Sequence, residues 1–130
     1  LIASDELIIT ADTIVCLDER VLGKPSDEAE AISMLHSLSG RTHQVYTGVT
    51  LTTIQHQTSF VSCTDVTFAH LSDEEIQHYV SHFRPYDKAG GYGIQEWIGY
   101  VGVRRIEGSY FNVMGLPVQR LYTELKRLGI

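Results

Sequence analysis

Asp12 stands in the run ADTIV, behind a hydrophobic stretch and flanked by Ala11 and Thr13. A carboxylate at a strand end of an α/β protein is placed to hold a metal ion or act as a general base, because ligands collect at that edge. A turn aspartate that bonds its own backbone has the same neighbours, and from spacing alone that is the simpler reading. Lys24, in LGKP, lies between Gly23 and Pro25 just ahead of a helical pattern. An ammonium held there can meet a phosphate, or it can simply be solvated. The segment KAGGYGIQ, residues 88–95, holds three glycines, a lysine and a glutamine. It is neither G-x-G-x-x-G, because Glu96 stands where the last glycine belongs, nor a Walker loop. Glycines admit positive φ and close backbone approach to a ligand. Lys88 supplies charge, and Gln95 an amide able to read a base edge or a sugar. An irregular connection between a helix and a strand has the same composition, and on composition alone both readings stay open.

Other polar residues point less clearly to chemistry. SGRTHQVYTG offers Arg41 and His43. Arg41 could touch a phosphate, but a surface charge just after a helix is the preferred reading. His78 and His82 are four apart, a metal-compatible spacing. They fall opposite the apolar stripe of their helix and lack the acid of H-E-x-x-H, so they read as exposed.

These residues need elements to position them. Leu7 to Thr10 and Ile14 to Asp18 read as two short strands, followed by a turn at Asp18-Glu19-Arg20. SDEAEAISMLHSLSG (26–40) is a helix: Ala31, Ile32, Met34, Leu35 and Leu38 follow its period, Ser26 or Asp27 caps it, and Gly40 ends it. HQVYTGVTLTTI (43–54) and TSFVSCTDVTF (58–68) are β-branched and aromatic, two long strands joined near Gln55 to Gln57. LSDEEIQHYVSHF (71–83) is a second helix, with Ser72 and Glu75 as a capping box and a stripe of Ile76, Tyr79, Val80 and Phe83. GVRRIEG (102–108) reads as a strand. A last helix starts at Pro117 with Val118, Leu121, Tyr122, Leu125 and Leu128 on one face and Lys126 and Arg127 at its C-terminal end. Strands alternate with helices, yet two long strands are adjacent. The expectation is one α/β domain over residues 1–130, a mixed sheet flanked by helices.

The chain of 130 residues is 43% hydrophobic and 20% charged, a balance that suits a globular domain with a real core. Its net charge of −6 argues against broad binding to nucleic-acid polymers or anionic membranes. Cys16 and Cys63 form no CxxC or disulfide framework, no apolar run is of membrane-spanning length, and no signal peptide is visible, so the cytoplasm is the expected compartment. The opening LIASDELIITADT has no methionine and enters a strand almost at once, which suggests a natural start further upstream.

Taken in order, ADTIV, LGKP, LSGRTHQVYTGV, DKAGGYGIQ and GSYFNVMGLP closely resemble the Maf family of nucleoside triphosphate pyrophosphatases, from about Leu7 to Leu121. ADT or GKP alone would mean little; the ordered set is specific. The resemblance implies a Maf/ITPase-like fold and cleavage of a nucleoside triphosphate between its α and β phosphates, releasing a monophosphate and pyrophosphate. DKAGGYGIQ resembles the dTTP- and UTP-hydrolysing branch. The resemblance further implies a divalent cation, usually magnesium or manganese, and a homodimer. By motif, Asp12 matches the proton acceptor and a metal contact, Thr13 and Gln95 match positions tied to base selection, and Lys24 matches a phosphate-site lysine. Lys88 is a further phosphate or structural contact. Two departures stand out. The family pattern opens with a segment like LASxSPRR and a later glutamate, neither of which precedes ADT here, so an N-terminally truncated domain is expected. Many relatives read GEPxDKAG where this chain reads FRPYDKAG, with Phe83 and Arg84 in place of Gly and Glu. The alternative function is a nucleotide-binding regulator of septum formation that does not turn its ligand over.

Overall fold

The structure, a computed structural model, describes residues 5–130. Strand β1 runs Ile8–Leu17 and turns tightly into β2, Arg20–Leu22. Asp18 and Glu19 both take positive φ (50° and 65°), the pair of left-handed residues that a two-residue hairpin needs to match strand twist. Helix α1 (Glu28–Leu38) follows, then the long hairpin β3 (Thr42–Thr52) and β4 (Gln57–Phe68). Helix α2 (Asp73–Phe83) leads into the glycine segment, which contains one 3-10 turn at Ala89–Gly91. Short helix α3 (Trp97–Gly102), strand β5 (Val103–Glu107), α4 (Tyr110–Met114) and α5 (Val118–Arg127) complete the described chain.

The strands form one sheet in the order β2-β1-β3-β4-β5. The α/β architecture agrees with expectation, but every described pairing is antiparallel rather than mixed. The helices lie between strands in sequence without carrying the chain across to a parallel neighbour. The two short strands expected around ADT are one. Thr10, Ala11, Asp12 and Thr13 pair without a break with Thr50, Val49, Gly48 and Thr47 of β3, so ladder pairing overrides the weak β-propensity of Ala and Asp. The β3–β4 turn closes through Thr53 N–H donating to His56 O at 2.7 Å, a little earlier than the sequence suggested.

Period-two alternation sends Val15, Leu17, Val45, Val49, Leu51, Phe60, Val66 and Phe68 to one face of the sheet, where they are buried. Helix α1 adds Ala31, Leu35 and Leu38, and α2 adds Ile76, Tyr79 and Val80, to the cluster around Val15, Leu17, Val45, Val66 and Phe68, while Val49, Leu51 and Phe60 pack with Leu121 of α5. Each fully buried large aliphatic side chain contributes about 1.5–3 kcal/mol. The other face exposes Ile8, Ile14 and Val61, with a Thr50–Ser59 hydroxyl pair at 2.9 Å.

Both long helices carry the expected caps. Asp27 accepts from Glu30 N–H ahead of α1, and Ser72 and Glu75 form a complete capping box on α2. Phe83 departs from its stripe: it lies exposed at the end of α2, stacked on Tyr79. His78 and His82 are exposed as expected, the former edge-on to Trp97. Along α5 only Leu121 is buried, while Val118 and Tyr122, and Leu128 just past its end, are exposed. Among the described residues no helix is long and apolar enough to cross a membrane.

Candidate functional site

A cleft of about 310 Å³ opens where β1, the LGKP turn, the glycine segment and the end of α4 meet. That volume is at the lower end of small-molecule sites, roughly 300–1,000 Å³. Asp12 and Thr13 line it from β1, Lys24 from the turn, and Lys88 and Gln95 from the two ends of the glycine segment. All five residues singled out in the sequence therefore border one space, although 83 positions separate the first from the last.

Asp12 is exposed, and its carboxylate has no hydrogen-bond or ion-pair partner among the described residues. Because β1 is unbroken, Asp12 is a mid-strand residue held by pairing with β3, not a turn aspartate. Lys24 is exposed and likewise has no ion-pair partner among the described residues. Lys88 bonds Asp87 at 3.2 Å, and the same lysine holds the Asp87 carboxyl below the usual range, with Lys24 adding to the effect. The cleft thus presents one unpaired carboxylate, a second paired to lysine, and two ammonium groups.

The glycine segment keeps its shape through long-range hydrogen bonds. Gly90 and Gly91 take φ of 73° and 77°, and a Cβ on Gly90 would lie 3.0 Å from the Val15 side chain. Gly90 N–H donates to Gly23 O at 3.1 Å, which ties the segment to the LGKP turn and so brings Lys24 and Lys88 to one cleft. Gly93 N–H donates to Tyr79 OH at 2.9 Å, and that hydroxyl donates to Glu96 Oε1 at 2.5 Å. Tyr92 packs edge-on against Phe68 and His43, with its hydroxyl 2.6 Å from His43 Nε2. His43 is fully buried, and burial lowers its pKa to about 4, so it is neutral near pH 7. Burial also raises the Tyr92 hydroxyl well above the ordinary phenol range.

The opposite wall is the end of α4, Val113 to Gly115. Fully buried Asn112 fixes it: Nδ2 donates to Val45 O at 3.1 Å and to Thr64 Oγ1 at 3.0 Å. Sequence reasoning missed Tyr92, Asp87, His43 as a buried support, and the α4 wall. The proximity of Asp87 and Tyr92 to Lys88 was a usable signal; nothing local marks Asn112 or His43 as buried. Arg41 is an exposed partner of Asp18 and is not among the residues lining the cleft, in line with the preferred reading.

Among the described residues no three His, Cys, Asp or Glu side chains gather as a metal cage. A magnesium-type ion needs only one or two carboxylates when phosphate oxygens and water complete its shell. Asp12, unpaired in the cleft, fits that role.

The family model of Maf-like proteins matches residues 1–128. The dTTP/UTP pyrophosphatase of Phocaeicola vulgatus is 69% identical over 124 residues, 95% of this chain and 64% of that protein. Proteins of the same name from Bacteroides thetaiotaomicron and Christiangramia forsetii are 61% and 50% identical over 123 and 124 residues, 95% of this chain and 64% and 63% of their own lengths. The chain thus spans just under two thirds of the length of these relatives, and across nearly its whole extent it belongs to the Maf-like protein family.

Proposed function

We propose that the protein containing this chain hydrolyses dTTP and UTP, with modified pyrimidine relatives, to the nucleoside monophosphate and pyrophosphate. The observation that carries this reading is the convergence of Asp12, Lys24, Lys88, Thr13 and Gln95 on one cleft. The name dTTP/UTP pyrophosphatase, borne by relatives at 50–69% identity, supports it. In this reading Asp12 takes a proton from the attacking water, which forms a new bond to the α-phosphorus. The bond from that phosphorus to the α–β bridging oxygen breaks, and pyrophosphate leaves with the electron pair. Lys24 and Lys88 offset charge on the phosphate oxygens, and Thr13 and Gln95 hold the base. Asp12 would hold a divalent cation jointly with the substrate, and the bound ion would neutralise phosphate oxygens.

The test is pyrophosphate release from dTTP and UTP with magnesium by the full-length protein, beside Asp12→Asn. A positioned general base contributes about 10²–10⁴ in rate, and a loss of that size is expected. Equal activity in both proteins overturns the role of Asp12. Binding without turnover by the wild type replaces the enzyme reading with the regulatory one.

A further inference from the structure

Two threonine hydroxyls and a carbonyl form a chain that ends at the cleft. Thr47 Oγ1 lies 3.3 Å from Asn112 O and 2.8 Å from Thr13 Oγ1. A carbonyl can only accept, so the Thr47–Asn112 bond uses the single hydroxyl proton of Thr47, beside the Gly115 N–H that reaches the same carbonyl at 3.0 Å. Either oxygen could donate the 2.8 Å bond between the two hydroxyls; with the Thr47 proton on the carbonyl, Thr13 is the donor. With its proton spent, Thr13 Oγ1 has only lone pairs to offer a ligand. That oxygen borders the cleft beside Gly115, where an added Cβ would lie 3.8 Å from it. Thr47 and Asn112 are both fully buried, and the Asn112 amide is tied to Val45 O and Thr64 Oγ1, so the carbonyl end of the chain is fixed.

An acceptor at this place has a consequence for the base. The pairing edge of uracil or thymine carries one donor, the N3–H, between two carbonyl oxygens. Cytosine has the same ring nitrogen as a lone pair. We propose that Thr47, anchored on the Asn112 carbonyl, sets the Thr13 hydroxyl as an acceptor and so makes the cleft select uracil and thymine rings by their N3–H. This rests on the proposed function, which supplies the pyrimidine nucleotide. Gln95 lines the same cleft, and its amide N–H₂ can donate to a carbonyl beside N3. Cytosine would set its N3 lone pair against that of Thr13 and leave both unpaired. Thr47 touches no substrate; it is a positioning residue.

The experiment compares kcat/KM for UTP and CTP in the full-length wild type, Thr47→Val and Thr47→Ser. Valine keeps the shape of threonine but takes no hydrogen bond, so the Thr13 proton becomes free to face cytosine N3. The UTP:CTP ratio is expected to fall about tenfold in Thr47→Val, the effect of one discriminating hydrogen bond, and to recover in Thr47→Ser. A loss shared equally by both nucleotides, with the ratio unchanged, overturns the proposal. Should Thr47→Val fail to fold, neutron diffraction on the unmodified protein decides: the Thr47 proton is expected on the line to Asn112 O, and a proton on the line to Thr13 overturns the proposal. A wild type that turns over neither nucleotide overturns the proposed function alone. The ratio is then read from UMP and CMP binding, where the same tenfold shift supports the role of Thr47 and an unchanged ratio refutes it.

Discussion

Helix α2 and the glycine segment adjoin in sequence and are held in opposite ways. The start of α2 is fixed by residues three apart, Ser72 and Glu75, and its buried stripe repeats with the helical period. Apart from the Gly91 N–H to Lys88 O bond of its 3-10 turn, at 3.0 Å, the glycine segment takes its support from outside. It is held by Tyr79, 14 residues before its partner Gly93, by His43, 49 residues before Tyr92, and by the carbonyl of Gly23. The shape of α2 is a property of its own sequence, while that of the cleft wall is a property of the fold. Damage to the wall's distant supports should therefore reach the site, and damage to the helix cap should not.

The largest expected effect comes from Gly99→Ala. A Cβ there would overlap the Ile94 carbonyl oxygen and lie 2.6 Å from its carbon. Both are backbone atoms of the cleft wall and cannot swing aside. The loss of stability should reach about 3 kcal/mol or more, above the usual cost of overpacking, with kcat/KM falling in the fraction that stays folded. Urea unfolding and nucleotide turnover check this. A stability change under about 1 kcal/mol would mean that the wall is not rigidly held, and the contrast with α2 would collapse.

The His43 support can be probed by pH. In the fold its pKa is about 4, against 6.5 for an unperturbed histidine, chiefly because burial disfavours the imidazolium and only secondarily opposed by Asp65. Between those values the unfolded chain binds more protons than the folded one, so stability rises with pH across the window. The contribution is complete above about pH 6.5 and is lost as pH falls toward 4, up to about 3 kcal/mol. Urea midpoints from pH 7 to 4 should slope less steeply in His43→Asn than in the wild type. Parallel slopes would remove His43 from the account.

That division also explains what could be read beforehand. The long hairpin, α1 and α2 were legible because alternation, capping and helical period are written within a few residues. Asp12, Thr13, Lys24, Lys88 and Gln95 were legible as a set through the order of their motifs, and the fold does bring them to one cleft. The continuity of β1 was not legible, because Ala11 and Asp12 are poor strand formers and only the ladder with β3 carries them through. Helix α4 has five residues and is fixed by an asparagine whose acceptors lie 48 and 67 positions away. Buried polar contacts of that span leave no local pattern.

A smaller effect is expected where instructions are local. Ser72→Ala removes the acceptor for Glu75 N–H and half of the capping box. The cost should be about 1 kcal/mol. Thermal melts should show that loss with unchanged kcat/KM and an unchanged UTP:CTP ratio. A shifted ratio would mean that the start of α2 communicates with the cleft.

Arg41→Ala should do least, and it tests the boundary of the site most finely. Arg41 lies two residues before His43, yet the two meet different fates. β3 turns His43 into the core under Tyr92, whereas Arg41, just ahead of the strand, stays outside with Asp18. Both members of that pair are largely exposed, at 48% and 69% of their side-chain surface, so solvent screens it and its removal should cost at most about 0.5 kcal/mol. The more telling measurement is kinetic. If Arg41 is only a surface charge, kcat/KM for UTP stays within about twofold of wild type and changes little with salt. A tenfold loss that deepens at low ionic strength would give Arg41 a share in the substrate's phosphates, and the phosphate-binding surface would then extend past the cleft to the end of the β1–β2 hairpin.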